Sequence, residues 1–139
     1  MHNPMNYLGV DYGEKRIGLA LANGALRIAL PLDILPNNAK NSALHKLLAI
    51  IYEKEITDVI VGFPLGLHGQ HTPQTGKVEQ FTLQLAEQLA KKNVRIAYEN
   101  EVFSSSLSRR FVSGRVDSVA AAIILQSYLD GQKKRGTSA

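Results

Sequence analysis

The segment Tyr7–Ala22 admits few folds. Two apolar runs, Tyr7–Val10 and Ile17–Ala22, flank the short polar stretch Asp11-Tyr12-Gly13-Glu14-Lys15-Arg16. Runs of this length are strands rather than helices, and so short a connection returns the chain antiparallel to itself. Tyr7–Val10 shows no polar alternation, the pattern of a strand buried in the middle of a sheet. Asp11 then interrupts it. A carboxylate at the end of a core strand is costly unless it caps its own turn or something else compensates its charge. Gly13 and Gly18 mark places where the backbone turns or must leave room.

The rest of the chain supplies partners for this hairpin. Asn23-Gly24, a strong turn signal, precedes a third strand expected over Ala25–Leu32, with Pro31 pointing to a sheet edge. Asn41–Lys54 is expected to be a helix, because Leu44, Leu47, Leu48 and Ile51 recur at helical spacing. Strand-like Thr57–Val61 follows, then a loop over Gly66–Thr75. A second amphipathic helix is expected over Gly76–Lys92, with Val78, Phe81, Leu85 and Leu89 on one stripe. Val94–Tyr98 reads as a fifth strand, Ser104–Val112 as a short serine-capped helix, and Val116–Leu129 as a last helix rich in Ala, Ile and Leu. The order β-β-β-α-β-α-β-α-α predicts an α/β fold. Its five-stranded mixed sheet has three antiparallel strands, then two parallel ones, with helices on both faces. The expected domain is 1–131, followed by a basic, flexible tail at 132–139.

With 139 residues the chain fits one domain. The absence of cysteine excludes disulfides and thiolate metal sites, and no apolar run is long enough to span a membrane. Both features point to a cytoplasmic protein. A formal charge of +4 is compatible with a polyanionic partner.

Three carboxylates stand at the ends of core elements. Asp11 ends the first strand, Glu101 follows the last, and Asp117 opens the final helix. With the first strand central, these residues can gather at one sheet end, where mutual repulsion calls for a cation. Oxygen ligands without cysteine favour Mg²⁺ or Mn²⁺. The competing readings are ordinary ones: Asp117 as a helix cap, Glu101 as a solvated loop acid, and Lys15, Arg16, Arg109, Arg110 and Arg115 as surface charges. His68 and His71 lack the helical spacing and further ligands of a zinc site. Ser104–Ser106 lacks the elbow of a serine nucleophile.

Gly9-Val10-Asp11-Tyr12-Gly13-Glu14-Lys15-Arg16-Ile17-Gly18-Leu19-Ala20, Val59-Ile60-Val61-Gly62-Phe63-Pro64 and the block Val116–Leu129 together resemble the YqgF family over nearly the whole chain. That family comprises Holliday-junction-resolvase-like nucleases linked in bacteria to maturation of the 16S ribosomal RNA 5′ end. The resemblance implies an RNase H-like fold with Asp11, Glu101 and Asp117 as its acidic, metal-binding set. The family's usual Asp-Glu-Arg run with a following Ser or Thr reads here Asn100-Glu101-Val102-Phe103-Ser104-Ser105. The Glu and the hydroxyls of Ser104 and Ser105 remain, while the flanking Asp and Arg do not. The segment Ser104–Arg115 is also short for the family, and Arg115 stands where a Lys is common.

The implied activity is hydrolysis of phosphodiester bonds in structured RNA or branched DNA. Two metal ions would be held by the three acids, with Lys15, Arg16, Arg109, Arg110 and Arg115 on phosphates. Ribosomal particles are a further expected partner, and both monomer and dimer are compatible. The rival reading is a non-catalytic nucleic-acid-binding or ribosome-assembly factor of the same fold. The Gly-x-Asp-x-Gly start also resembles the phosphate loop of sugar kinases and Hsp70-like ATPases, which need a second lobe that 139 residues do not supply.

Overall fold

The computed structural model describes residues 4–66, 68–100 and 116–136, with the backbone alone for 116, 117 and 133–136. The elements are β1 (Asn6–Tyr12), β2 (Arg16–Asn23), β3 (Leu30–Pro36), α1 (Ser42–Glu53), β4 (Asp58–Phe63), α2 (Pro73–Leu89), β5 (Arg95–Asn100) and α3 (Val116–Gly136). The five strands form one sheet in the order β3-β2-β1-β4-β5. β1 pairs antiparallel with β2 and parallel with β4, and β4 pairs parallel with β5. This is the mixed sheet expected from the sequence, with β1 at its centre.

Alternation along the strands makes two cores. Leu8, Val10, Ile17, Leu19, Val59 and Val61 face α1 and α2, meeting Leu44, Leu47 and Ile51 of the one and Val78, Phe81, Leu85 and Leu89 of the other. The intervening residues Tyr7, Ala20, Ala22 and Ile60 face α3, meeting Ala121, Ile124, Leu125 and Leu129. Both helical stripes read from the sequence are buried, except that Leu48 is half-buried. The α3 face is thin. A Cβ built on Gly9 would stand 2.8 Å from the Ala121 carbonyl oxygen and 2.9 Å from Leu125 Cβ, so glycine is what lets the helix lie on the strand.

Several boundaries differ from expectation. β3 begins at Leu30 rather than Ala25, because the turn opened by Asn23-Gly24 is not a two-residue hairpin turn but continues through Arg27. Asn23 accepts from the backbone N–H groups of Leu26 and Arg27, Arg27 takes a left-handed φ of 57°, and the segment is docked on α3. There Gln126 accepts from Ala29 N and donates to the Arg27 carbonyl, while Arg27 Nη2 donates to the Leu129 carbonyl. These tertiary bonds replace a hairpin turn. Pro31 does lie on an edge strand.

α2 starts at Pro73, within the expected loop. Thr72 and Thr75 form a reciprocal capping box, Pro73 occupies the first turn, and Thr75 Oγ1 also donates to the Pro64 carbonyl. β4 and β5 each run two residues further than read. Residues 132–136, assigned by composition to a flexible tail, continue α3. The helix expected over Ser104–Val112 lies outside the described residues.

Candidate active site

Asp11 sits at the C-terminal end of β1, half-buried, opposite Gly18 of β2. Alternation from Tyr7 and Gly9 puts it on the face covered by α3. The turn that follows is held from the other side of the sheet. Asn37 donates through Nδ2 to the Gly13 carbonyl at 2.8 Å and through its backbone N–H to the Lys15 carbonyl at 2.8 Å. Gln74 Nε2 donates to the Tyr12 carbonyl at 3.3 Å, and Lys77 pairs with Glu14. A Cβ on Gly13 would meet the Arg16 carbonyl oxygen at 2.6 Å, so this tight turn needs glycine. Lys15 and Arg16 are exposed at its rim, a cationic border beside the carboxylate.

The register carries Asp11's row across the sheet. Val10 pairs with Val61, and the next β4 residue, Gly62, pairs with Glu99 of β5. Asp11 and Glu99 therefore face α3 on either side of a glycine, with Cα atoms about 10 Å apart at ordinary strand spacing. Ser127 Oγ of α3 donates to Glu99 Oε2 at 2.7 Å. Sequence reading singled out Glu101 and passed over Glu99. The available signal was alternation: Arg95, Ala97 and Glu99 share one face of β5, and Ile96, Tyr98 and Asn100 the other.

The first turn of α3 contains Asp117. Ala121 and Leu125 lie over Gly9, whereas Gln126, Leu129 and Gln132 contact the segment 27–29 at the opposite end of the sheet. The helix thus runs antiparallel to β1, and its N-terminus is directed toward the end that carries Asp11. β5 stops at Asn100, one residue before Glu101. Glu101, Ser104, Ser105, Arg109, Arg110 and Arg115 lie outside the described residues.

Among the described residues no group of three His, Cys, Asp or Glu side chains is placed to hold a metal. His71 instead stacks edge-on against Phe63 and lies 3.8 Å from Glu79. Asp11 supplies a hard carboxylate donor of the kind that suits Mg²⁺ or Mn²⁺. Elsewhere, buried Asp58 makes two hydrogen bonds with Arg95, through Nε at 3.0 Å and Nη2 at 3.2 Å. Those bonds, and then the charge of Asp58, raise the affinity of the exposed guanidinium for its proton. This pair ties β4 to β5 at the end of the sheet remote from Asp11.

A mixed sheet in this order, with an acid ending the central strand and a helix lying antiparallel across it, is the RNase H-like fold of Holliday junction resolvases. Thermus thermophilus RuvC, solved in complex with a Holliday junction substrate, superposes with a TM-score of 0.58 at 13% identity, covering 93% of this chain and 96% of its own. The fowlpox virus Holliday junction resolvase gives 0.58 at 14%, covering 92% and 99%. At such identities the likeness is one of fold.

The chain belongs to the family described as RuvX: Holliday junction resolvase, which matches residues 5–131. Relatives of Chloroflexus aggregans and Anaeromyxobacter sp. carry the name "Putative pre-16S rRNA nuclease". The first is 32% identical, spanning 94% of this chain and 97% of its own, and the second 35%, spanning 92% and 98%. No helix among the described residues is long and apolar enough to cross a membrane.

Proposed function

We propose that this protein is a divalent-metal-dependent nuclease that hydrolyses phosphodiester bonds in structured nucleic acid. Maturation of the 16S rRNA 5′ end is the leading role, with ribosomal particles as partners and the cytoplasm as its place. Branched DNA is the alternative substrate. One observation carries the reading: Asp11 ends the central strand, on the face α3 covers, in a chain matched to a resolvase family over residues 5–131. Asp11, Glu101 and Asp117 would hold the ions. Bound there, Mg²⁺ or Mn²⁺ would activate water and neutralise charge on the reacting phosphate. Lys15 and Arg16, with Arg109, Arg110 and Arg115, would hold phosphates without reading sequence. Ser104 and Ser105 would supply further polar contacts.

The second reading, a binding factor without turnover, draws on the departures at Asn100 and Val102. The placement of Asn100 weakens it. By alternation Asn100 belongs to the face of β5 turned toward α1 and α2, so its missing carboxylate is not one lost from the Asp11 face.

Asp11→Asn separates the readings. The change is nearly isosteric. Mn²⁺-dependent cleavage of a pre-16S rRNA fragment or a four-way DNA junction should fall by orders of magnitude, while binding persists or tightens as a repulsive charge is removed. Unchanged cleavage, with about 1 kcal/mol lost in thermal unfolding, would make Asp11 a turn cap. Binding by the wild type without cleavage of either substrate would establish the binding factor.

A further inference from the structure

On the opposite side of β1 from Asp11 there is a polar concavity. It is a cleft of about 490 Å³ between the β1–β2 turn, the start of α1 and the exposed flank of α2. Its wall is aromatic: Tyr12 packs on Phe81 with ring centroids 4.7 Å apart. Its rim carries the Asn38, Asn41 and Gln84 amides and the Lys40 ammonium, all exposed. Among the described residues Lys40 has no carboxylate partner, in contrast to Lys77, which is paired with Glu14. The rim is also rigid where it meets β1, because Asn37 spans Gly13 and Lys15 with two hydrogen bonds.

Position and chemistry agree. Tyr12 follows Asp11 directly, so the cleft and the carboxylate occupy the two sides of a single strand end, with exposed Lys15 and Arg16 on the turn between them. An aromatic wall, amides able to donate and accept, and an uncommitted ammonium are the complement of one nucleotide: a flat base, polar base edges and a phosphate. We propose that this cleft binds a nucleotide of the single strand flanking the bond cut at Asp11. The strand crosses the β1–β2 turn, its phosphate meets Lys40, and its base lies toward Tyr12 and Phe81. This inference rests on the nuclease reading and extends it: the substrate has an unpaired strand next to the cut.

The test uses the whole protein in EDTA, so that binding is read without cleavage. The probes are single-stranded RNA and DNA oligonucleotides of mixed sequence and a blunt duplex of the same length. Lys40→Gln and Gln84→Ala alter exposed side chains only, and unchanged thermal unfolding would verify that both variants fold. The proposal expects the wild type to prefer the single strand to the duplex. It expects the double variant to bind the single strand roughly three- to tenfold more weakly, with a log–log salt slope smaller by about 0.7, one phosphate's share on a single strand. A double variant with wild-type affinity and slope would overturn the cleft as a binding site and leave the nuclease reading standing. Absence of binding by the wild type to any probe would overturn the cleft as a binding site, while the nuclease reading stands or falls separately on the Mn²⁺-dependent cleavage of structured substrates. Equal loss on duplex and single strand would overturn the single-strand assignment.

Discussion

The two faces of the sheet are built on opposite plans. Toward α1 and α2 the strands present Leu, Ile and Val, and the helices answer with Leu, Phe, Val and Ile. Toward α3 the strands present Gly9, Ala20 and Ala22 beside Tyr7 and Ile60, and the helix brings Ala121 and Ala122 beside Ile124, Leu125 and Leu129. The first face gains stability from apolar area and leaves the helices a full side-chain layer away. The second brings a helix backbone onto the central strand and directs the start of that helix toward the strand end that carries Asp11. Thickness belongs to the face that holds the fold, and thinness to the face proposed for chemistry.

The comparison breaks most visibly on the thick face. Leu85 is fully buried there, and Leu85→Ala should cost about 3 kcal/mol of unfolding free energy through lost burial and a residual cavity. Below the lowered melting temperature, cleavage per folded molecule should stay near wild type. A large loss of specific activity at full occupancy of the native state would contradict the division of labour.

Gly9→Ala tests the thin face. Its methyl would press on the Ala121 carbonyl and on Leu125, and a helix backbone cannot yield as a side-chain tip does. The expected cost is about 2 kcal/mol, from overpacking. Activity should fall further than this stability loss explains, because α3 must lift away from β1. Proportionate losses in stability and activity would show that helix height is unimportant.

The smallest effect is expected at the bond joining α3 to β5. Ser127→Ala should remove about 1 kcal/mol and leave Glu99 without its donor. Ser127→Thr should restore the melting temperature. The Mn²⁺ concentration needed for half-maximal cleavage should rise in the alanine variant and recover in the threonine one. If it does not move, the contact steadies the fold without tuning the site.

Much of this architecture was legible in the residues. The unalternating Tyr7–Val10 run placed β1 at the centre, and the stripes ending at Ile51 and Leu89 fixed which faces α1 and α2 bury. What escaped was set by contacts distant in sequence. The late start of β3 follows from Gln126 and Leu129 holding the segment 27–29, which no local pattern encodes. The early start of α2 was written locally, in Thr72, Pro73 and Thr75, but Gly76 drew the boundary inward. At the site, Asp11 was readable as an acid ending an apolar strand. Glu99 was readable only in part: alternation sets its face of β5, but its place opposite Asp11 depends on the register that sets Gly62 between them.

The docking of α3 also bears on the order of assembly. Arg27 and its acceptor on Leu129 are 102 positions apart, and Gly9 waits on Ala121 and Leu125 across a similar span. The hairpin, by contrast, closes among neighbours. During synthesis β1 and β2 can pair early and collect α1, β4 and α2 on one side while the other side stays bare, since contacts between remote segments form slowly and late. The proposed catalytic face would then be the last surface to close. A ribosome-bound chain would carry a formed sheet and an unfinished face until the final helix has emerged.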